Sequence, residues 1–389
     1  MILVLSAGCS GTDLTGPPRP PDVTACGLIG RDCDVVRGTR PWAAGLADLD
    51  ADADLDLAVV LHGSDGVALW LNDGSGAFIA TDVLVVGDSP RSVSVGDFDG
   101  DGDPDLAVTG LVSVVGPAVS VLANQGNATF APAANFPTGH VSTFVTAADL
   151  DGDGSLDLVT ADEGADSLSI LLNNGDGTFA EPRITTAGAA PASIAGADLD
   201  GDGDVDLAVA NRASDDVSIL INIGDGTFRP AVNCAVGDVP GAIAAGDFDG
   251  DGDLDLATAN EGGFDDPDLD DVSVLINDGT GAFYAAATLA VGVNPYAITS
   301  GDLDGDADVD LVVANHGITG DTSTIAVLRN HGDGTFAPAV SWPAGWGPES
   351  VVLGDLDGDG DLDAVTANSL ANNVSFLAND GSGEFASGI

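Results

Sequence analysis

The chain has 389 residues, long for one ordinary domain, and 44% of them are apolar, enough to bury a large core. Its charge is extreme: 63 acidic residues stand against 9 basic ones, all of them arginine, and the formal net charge is −54. Nucleic acids and anionic membrane surfaces repel such a molecule, so we exclude both as partners.

The first nine residues, Met-Ile-Leu-Val-Leu-Ser-Ala-Gly-Cys, are similar to the end of a bacterial lipoprotein signal. We therefore expect an exported protein, extracellular or at the cell surface, with or without a lipid on Cys9. Residues 1–30 are assigned to this signal remnant and to a Pro-rich linker around residues 16–21. In an oxidising compartment, Cys26 and Cys33 could form a disulfide.

Three sequence markers recur together along the rest of the chain, 49 to 55 residues apart. The first is Asp-x-Asp-x-Asp-x-x-x-Asp, which begins at Asp48, Asp97, Asp149, Asp198, Asp247, Asp302 and Asp355. The second is Asn-x-Gly-x-x-x-Phe, which begins at Asn72, Asn124, Asn173, Asn222, Asn277, Asn330 and Asn379. The third is a proline seven residues before the first Asp, at Pro41, Pro90, Pro191, Pro240, Pro295 and Pro348; the third copy has Ser142 instead. Seven copies of one unit are the signature of a repeat architecture.

Each unit contains four short β-rich segments separated by Gly, Asn and Asp turns. In the second unit these are Ser92–Gly96, Asp105–Thr109, Ala118–Leu122 and the run that starts at Phe130. Segments of this length and composition predict strands. Four strands per unit of about 50 residues are typical of a propeller blade. We therefore predict an all-β fold, a seven-bladed propeller of four-stranded antiparallel blades that spans residues 31–389 as one domain.

The two ends of the repeated region indicate how the ring closes. Residues 32–41 are in register with residues 81–90, which form the fourth strand of a unit and its exit turn. The seventh unit stops just after Phe385, where its own fourth strand should begin. The N-terminal strand is therefore predicted to complete the last blade, which removes the exposed sheet edges of an open array.

A carboxylate at every second residue indicates that several oxygens converge on one point. Ca²⁺ takes about 6–8 oxygen ligands, and a tight loop can offer them from positions 1, 3, 5, 7 and 9. Position 7 would contribute its backbone carbonyl. Mg²⁺ prefers fewer protein ligands and keeps its waters, so we expect up to seven bound Ca²⁺ ions. Without a cation the carboxylates would repel one another or hold protons.

The predicted metal ligands, loop by loop, are Asp48, Asp50, Asp52, Asp54 and Asp56; Asp97, Asp99, Asp101, Asp103 and Asp105; Asp149, Asp151, Asp153, Ser155 and Asp157; Asp198, Asp200, Asp202, Asp204 and Asp206; Asp247, Asp249, Asp251, Asp253 and Asp255; Asp302, Asp304, Asp306, Asp308 and Asp310; and Asp355, Asp357, Asp359, Asp361 and Asp363.

The acidic loops fit neither an EF-hand nor a general adaptation to high salt. An EF-hand needs a Glu at loop position 12 and flanking helices, whereas position 12 here is Val or Thr inside an apolar strand. Adaptation to high salt would spread the acids over the whole surface, but more than half of them lie in these seven loops.

The two motifs Asp-x-Asp-Gly-Asp-Gly-x-x-Asp-Leu and Asn-x-Gly-Asp-Gly-Thr-Phe resemble those of the FG-GAP (VCBS) repeat family, the blade of integrin α-subunit propellers and of many bacterial surface proteins. The resemblance covers residues 31–389. It implies a Ca²⁺ ion in the hairpin between the first two strands of each blade, with the Asp side chains of positions 1, 3, 5 and 9 as ligands. Integrin propellers carry fewer such loops than this chain.

The seven loops are not equivalent in sequence. Loop one has Ala51 and Ala53 where most loops have glycine, and loop six has Ala307. A left-handed backbone at these positions would cost an alanine about 1 kcal/mol. We therefore expect loop one to bind calcium most weakly.

The sequence contains no recognisable catalytic signature. His62, His140, His316 and His331 lie in no zinc motif, and no Ser or Cys lies in a nucleophile motif. We therefore predict a protein that is not an enzyme. Large side chains near the marker prolines are instead candidates for ligand binding on the face opposite the acidic loops, where they could stack on a sugar, anchor a protein or fill the central channel: Trp42, Arg91, Tyr296 and Trp346.

These observations favour a calcium-binding adhesion or interaction module that binds a protein or a glycan, acts as a monomer and contacts membranes only through a lipid on Cys9. A calcium-stiffened structural scaffold of an envelope assembly is the alternative. A polysaccharide lyase or hydrolase built on the ring is a third, weaker possibility.

Overall fold

The computed structural model describes residues 32–34, 39–112, 116–262, 270–318 and 323–386. Its strands form seven four-stranded antiparallel sheets, which we number as blades 1 to 7. The predicted all-β seven-bladed propeller is confirmed. The predicted signal remnant, the linker, Cys9 and Cys26 lie outside the described residues.

Each of the first six blades takes its four strands in chain order. Blade 1 contains β2 (Pro41–Ala47), β3 (Asp56–Leu61), β4 (Gly66–Asn72) and β5 (Phe78–Val85); blade 2 contains β6 (Val93–Gly96), β7 (Asp105–Val112), β8 (Gly116–Leu122) and β9 (Ala134–Pro137); blade 3 contains β10 (Phe144–Ala148), β11 (Asp157–Asp162), β12 (Ser167–Leu171) and β13 (Arg183–Thr186). Blade 4 contains β14 (Pro191–Ala197), β15 (Asp206–Asn211), β16 (Asp216–Leu220) and β17 (Val232–Ala235); blade 5 contains β18 (Pro240–Gly246), β19 (Asp255–Asn260), β20 (Asp271–Asn277) and β21 (Phe283–Ala290); blade 6 contains β22 (Pro295–Gly301), β23 (Asp310–Asn315), β24 (Thr324–Leu328) and β25 (Val340–Pro343).

Blade 7 is assembled from both ends of the chain. It contains β26 (Pro348–Gly354), β27 (Asp363–Asn368), β28 (Asn373–Leu377) and, as its fourth strand, β1 (Asp32–Asp34). Asp32 pairs with Ser375 and Asp34 with Asn373 in an antiparallel ladder. The first strand of each blade contacts the first strands of both neighbouring blades, and β26 contacts β2, so the ring is closed. The predicted closure by the N-terminal strand is confirmed.

The core lies between the faces of neighbouring blades. The second strand of blade 1, β3, is buried over all six residues, and the second strands of blades 3 to 7 show the same pattern. A strand covered on both faces reads as a continuous apolar run, which explains the absence of strict alternation here. One apolar cluster joins Val59 and Trp70 of blade 1 to Val365 and Phe376 of blade 7. The ends of the chain are therefore held by side-chain packing as well as by the backbone ladder.

The marker proline introduces an irregularity at the start of the first strand. In blade 1, Pro41 pairs with Leu61 and Ala43 with Val60, which leaves Trp42 as an extra residue in the ladder. The same register shift follows the marker proline in blades 4 to 7. A bulge of this kind redirects a side chain out of the regular sheet. The residue after the proline is therefore set apart from the strand that it opens.

The third repeat compensates for its missing proline with hydrogen bonds. The hydroxyl of Ser142 donates to Asp162 Oδ1 at 2.6 Å, and Ser169 donates to the other oxygen at 2.5 Å. Blades 4 to 7 carry an asparagine at the position of Asp162. Blade 3 therefore has two linked substitutions: Ser142 replaces the marker proline, and Asp162, which Ser142 contacts, replaces the asparagine.

Helix is nearly absent from the described ranges, which contain one short 3-10 turn, Glu163–Ala165. Among the described residues, no helix combines the length and the apolar character needed to cross a membrane.

Candidate functional site

The seven acidic loops connect the first and second strands of every blade and therefore lie on one face of the ring. We number their residues from position one, the first Asp, to position nine, the residue that opens the second strand. In loop two, Asp97 at position one accepts the N–H of Gly100 at 2.7 Å and that of Gly102 at 3.0 Å. Loops three to seven repeat this pair of hydrogen bonds. The first carboxylate thus folds the loop back on itself.

Positions four and six adopt the left-handed backbone. Gly100 has φ of 77° and Gly102 has φ of 96°. Ala51 at 65°, Ala53 at 78° and Ala307 at 75° take the same conformation in the loops where alanine replaces glycine. An L residue is strained in this region by about 1 kcal/mol. Loop one therefore contains two strained alanines and loop six contains one, as the prediction of weak calcium binding at loop one requires.

The aspartate at position nine is buried and ties three parts of the structure together. In loop two, Asp105 accepts the N–H of Phe98, at position two, at 2.9 Å and that of Asn124 at 2.7 Å, one on each carboxylate oxygen. All seven loops repeat this pair of hydrogen bonds. Burial raises the pKa of six of these groups to about 6, while the same hydrogen bonds oppose the rise: Asp56, Asp105, Asp157, Asp255, Asp310 and Asp363.

The asparagine of the second marker connects neighbouring blades. The Nδ2 group of Asn124 in blade 2 donates to the carbonyl of Leu49, the position-two residue of blade 1, at 2.9 Å. Every blade makes the equivalent hydrogen bond to the blade before it, at 2.7–2.9 Å. In blade 1 the partner is Leu356 of blade 7, so the series closes with the ring. The sequence showed that this asparagine recurs but not that it bridges two blades, because its partner lies in another repeat.

The loop carboxylates converge closely enough to share a cation. Oxygens of positions one, three and nine lie within 4.8 Å of one another in loops one, three and four; in loops two and five, oxygens of positions one, three and five do so. All four predicted side-chain positions therefore take part in these groups. The position-five aspartates are exposed at the loop tips, and each accepts the N–H of position seven. The predicted carbonyl role of position seven stays a prediction.

The position-three aspartates provide a test of whether a cation fits. In loops two and five the N–H of position five reaches the Oδ1 atom of position three at 3.3 Å. In the other five loops this Oδ1 atom is buried and makes no well-formed hydrogen bond: Asp50, Asp151, Asp200, Asp304 and Asp357. A buried carboxylate oxygen without a partner is costly, and an oxygen-seeking cation would satisfy it. Burial, and after it the charge of the position-five neighbour, raises the pKa of Asp50, Asp99, Asp249, Asp304 and Asp357. The donor set therefore fits a hard divalent cation.

Two of the loops have an arginine beside the position-three carboxylate. Nη1 of Arg229 lies 3.4 Å from Asp200 Oδ2, and Nε of Arg329 lies 3.8 Å from Asp304 Oδ2. A guanidinium at this distance partly neutralises the carboxylate. Loops four and six are therefore chemically distinct from the remaining five. The repeat pattern did not predict this difference, because each arginine lies 25 or more residues along the chain from the aspartate that it contacts.

The opposite end of the first strands surrounds a cavity of about 360 Å³. Of the four predicted ligand-binding residues, Trp42, Arg91 and Tyr296 line this cavity together. Trp346 is not among the lining residues and is 45% exposed elsewhere. The structure thus brings three of the four together and separates the fourth, which lies two residues before its marker proline instead of directly after one.

Sequence reasoning missed a group of charged residues at this cavity. Arg212 forms an ion pair with Glu261, and its guanidinium lies 5.2 Å from the centre of the Tyr296 ring. His316 Nε2 lies 3.6 Å from Glu349 Oε1. Burial raises the pKa of Glu261 to about 7, although the charge of Arg212 opposes the rise. The sequence did contain a signal that could have predicted this group. Arg212, Glu261 and His316 occupy the same position in the repeat, directly after the second strand of their blade.

Comparison with known proteins agrees with this architecture. The FG-GAP-like repeat family matches residues 48–108, 111–160, 149–209, 198–258 and 302–366, more than half of the chain. The chain therefore belongs to the FG-GAP-like repeat family. None of the curated proteins compared with it matches the sequence.

Several solved structures share the fold at low identity. An Agrocybe aegerita lectin with specific recognition of non-reducing terminal N-acetylglucosamine is 21% identical, with a TM-score of 0.53 and coverage of 83% of this chain and 86% of that one. Virginiamycin B lyase from Staphylococcus aureus is 13% identical, with a TM-score of 0.59 and coverage of 89% and 97%. The periplasmic gluconolactonase PpgL of Pseudomonas aeruginosa is 16% identical, with a TM-score of 0.57 and coverage of 84% and 88%. Binding proteins and enzymes both use this fold, so the likeness shows the fold alone.

The two kinds of loop aspartate are expected to respond oppositely to the same substitution. Asp157→Asn replaces one of the two buried oxygens that accept the N–H groups of Leu150 and Asn173 with an NH2 group that cannot accept, and should destabilise the protein by about 1–3 kcal/mol with or without calcium. Asp151→Asn removes charge at an oxygen that has no donor. It should leave metal-free stability unchanged or higher and abolish one calcium site. Urea unfolding and calcium titration calorimetry measure both effects; equal losses of metal-free stability in the two variants would contradict these roles.

The stability of the metal-free protein should fall as the pH rises from about 4 to about 6. The buried position-nine groups have a pKa of about 6 when folded, above the ordinary value of about 3.9, so in this interval the folded state holds protons that the unfolded state has released. Excess calcium should reverse the slope, because the ion displaces those protons. Urea unfolding of metal-stripped and calcium-loaded protein at pH 4.5 and pH 7 gives both slopes, and the same slope in both forms would count against these sites.

Loop one should gain calcium affinity when its strain is relieved. Ala51→Gly and Ala53→Gly each remove a left-handed alanine and about 1 kcal/mol of strain, and should together strengthen binding at this loop by up to about thirtyfold. A titration followed by NMR or by calorimetry would resolve the weakest site of the wild-type protein. If loop one fills first in the wild type, the ranking is wrong. Ala190→Gly, a left-handed alanine outside the loops, controls for general stabilisation.

Proposed function

We propose that this protein is a calcium-binding β-propeller that serves as an exported interaction module. The observation that carries the proposal is the set of buried position-three oxygens without donors, repeated at the same place in five of the seven blades. One such oxygen in a single blade could be an accident of local packing. The same deficit at equivalent positions around a ring favours one common ligand with an affinity for oxygen.

The chemistry of the loops favours calcium over other cations. All donors are carboxylate or carbonyl oxygens, which select hard cations over zinc or copper. Each loop offers four to five oxygens from a tight turn, and six of the seven loops contain glycine. This number of protein oxygens suits the larger coordination sphere of Ca²⁺ better than the octahedron of Mg²⁺, which keeps several waters. The residues that would hold the ion are the aspartates of positions one, three, five and nine.

A bound ion would act on the whole ring through position nine. That aspartate is hydrogen bonded to the asparagine turn, and the asparagine is hydrogen bonded to the preceding blade. Neutralising the loop charges would therefore relieve repulsion at the point where two blades meet. The ion supplies charge compensation and stiffness there, while the chain supplies the hydrogen bonds.

The face opposite the loops supports the binding part of the proposal. It carries a cavity with aromatic and charged walls, a combination typical of ligand sites. The likeness to a lectin is a fold-level hint in the same direction. The lipoprotein-like N-terminus motivates the exported location, and the expected partner is a protein or a glycan bound by a monomer.

A calcium-stiffened scaffold is the second candidate function. It is favoured by the closed series of asparagine hydrogen bonds, which joins every blade to its neighbour independently of the cavity. A scaffold would keep its calcium dependence and would bind no ligand at the cavity, which distinguishes it from an interaction module.

Removal of calcium should lower the melting temperature by at least about 10 °C and expand the molecule. An ion at 100 times its dissociation constant stabilises a protein by about 2.7 kcal/mol per site, and several sites act together here. Calorimetry and small-angle scattering at moderate, constant ionic strength would measure both changes. Mg²⁺ at the same concentration is the control and should restore less than Ca²⁺. An unchanged melting temperature and radius after chelation would refute the calcium proposal.

A further inference from the structure

The cavity opposite the acidic loops is built from one equivalent position in all seven blades. The residue directly after the marker proline, or after Ser142 in blade 3, lines it in every case: Trp42, Arg91, Thr143, Ala192, Gly241, Tyr296 and Glu349. Glu163 and Arg212, which follow second strands, complete the wall. We call this site the channel mouth. Its volume of about 360 Å³ falls in the range of small-molecule sites.

The residues of the channel mouth differ between blades where the rest of the repeat does not. The marker prolines and the loop aspartates are nearly the same in every copy, whereas this position holds aromatic, basic, acidic and small residues. The large residues belong to blades 6, 7, 1 and 2, which are consecutive around the closed ring. The small residues Thr143, Ala192 and Gly241 belong to blades 3, 4 and 5. The mouth is therefore asymmetric: on one half its large side chains come from the position after the proline, and on the other half that position is small and charged side chains such as Arg212, next to Gly241, complete the wall.

The charged groups at the mouth are held in pairs. Glu261 pairs with Arg212, and its side chain is only 8% exposed. Glu349, 6% exposed, lies beside His316 and accepts a hydrogen bond from the hydroxyl of Ser369 at 2.5 Å. Such pairs present donors and acceptors in fixed positions with little uncompensated charge.

A third, more accessible pair stands on the rim. Arg91 Nη1 lies 3.7 Å from Glu163 Oε2, and both side chains are more than one third exposed. Ser350, which also lines the mouth, has a buried hydroxyl oxygen without a hydrogen-bond partner. The Arg91–Glu163 pair thus offers polar groups that a ligand can engage, whereas the Ser350 oxygen is enclosed by the protein.

These features favour a neutral polyhydroxylated ligand. An anionic ligand is repelled by a chain of net charge −54. A cationic ligand would have to displace Arg212 or His316 from the carboxylates with which they pair. The many exposed carboxylates elsewhere on the molecule would compete for it. A sugar ring has an apolar C–H face that can lie against Trp42 or Tyr296, and its hydroxyls can both donate to carboxylates and accept from guanidinium groups.

We propose that the channel mouth binds a neutral saccharide unit, with Trp42 and Tyr296 as the aromatic walls and the Arg91–Glu163 pair as hydrogen-bonding groups for its hydroxyls. This inference rests on the proposed function, because it names the ligand class of an interaction module. It places recognition at the end of the first strands that lies farthest from the acidic loops.

The test is a glycan array of neutral, sialylated and sulfated glycans, probed with calcium-loaded, fluorescently labelled protein. Titration calorimetry with the free neutral sugar of the strongest signal then gives the affinity. Binding to neutral glycans is expected. No binding to neutral glycans, or a preference for sialylated or sulfated ones, would overturn the inference.

Matched variants locate the site. Tyr296→Ala and Trp42→Ala should each weaken binding at least about fivefold. Tyr284→Ala and Trp346→Ala remove exposed aromatic side chains away from the mouth and should change affinity less than about twofold. Retained binding in the two mouth variants would place the sugar elsewhere and refute the proposal.

A variant of the rim controls for a loss caused by misfolding. Arg91→Gln combined with Glu163→Gln removes an exposed ion pair that contributes little to stability, and it should still weaken binding at least about fivefold. Calcium titration of the same samples separates the two proposals. A protein that binds calcium and is stabilised by it but binds no neutral sugar refutes this inference alone, whereas one that does not respond to calcium refutes the proposed function.

Discussion

The structure depends on the hydrogen bonding of one buried carboxylate per blade. The aspartate at loop position nine must find a donor for each of its oxygens, because a buried carboxylate without partners is costly. It finds them in the position-two residue of its own loop and in the asparagine turn of its own blade. That asparagine then reaches the position-two carbonyl of the preceding blade. A requirement of one side chain therefore orders the loop, joins the two hairpins of the blade and connects each blade to the next, as the set of Asp105, Phe98, Asn124 and Leu49 illustrates.

The same geometry concentrates negative charge where the blades meet. Folding each loop around its first aspartate brings the carboxylates of positions one, three and nine or five close together, and several of their oxygens are left without donors. More than half of the acidic residues of the chain lie in the seven loops and not on the rest of the surface. A divalent cation would reconcile this architecture with its charge, and for this reason we connect the fold of the protein to calcium.

The first strand of each blade separates two tasks. Its end is followed by an acidic loop that is nearly the same in every copy, because every blade must make the same junction with its neighbour. In blades 1 and 4 to 7 its beginning is displaced by a bulge after the marker proline, and the residue there lines the channel mouth outside the regular ladder. This position can therefore hold Trp42, Arg91 or Tyr296 in different blades without changing the junction that repeats around the ring. The junction between blades and the proposed recognition site lie at opposite ends of the first strands.

The sequence by itself determined the number of blades, the four strands of each, the closing strand from the N-terminus and the convergence of the loop aspartates, because each follows from local spacing or from the comparison of one repeat with the next. Only the tertiary structure decided which residues of different blades meet. Arg212, Glu261, His316 and Glu349 come from four blades. The packing of the blades places Arg212 and Glu349 in the wall of one cavity, each beside its partner, Glu261 or His316. Trp346 lies outside the mouth because it precedes its marker proline instead of following one directly. The packing of one blade on the next decides which of their residues meet, so contacts across blades have no signature in the spacing of residues along the chain.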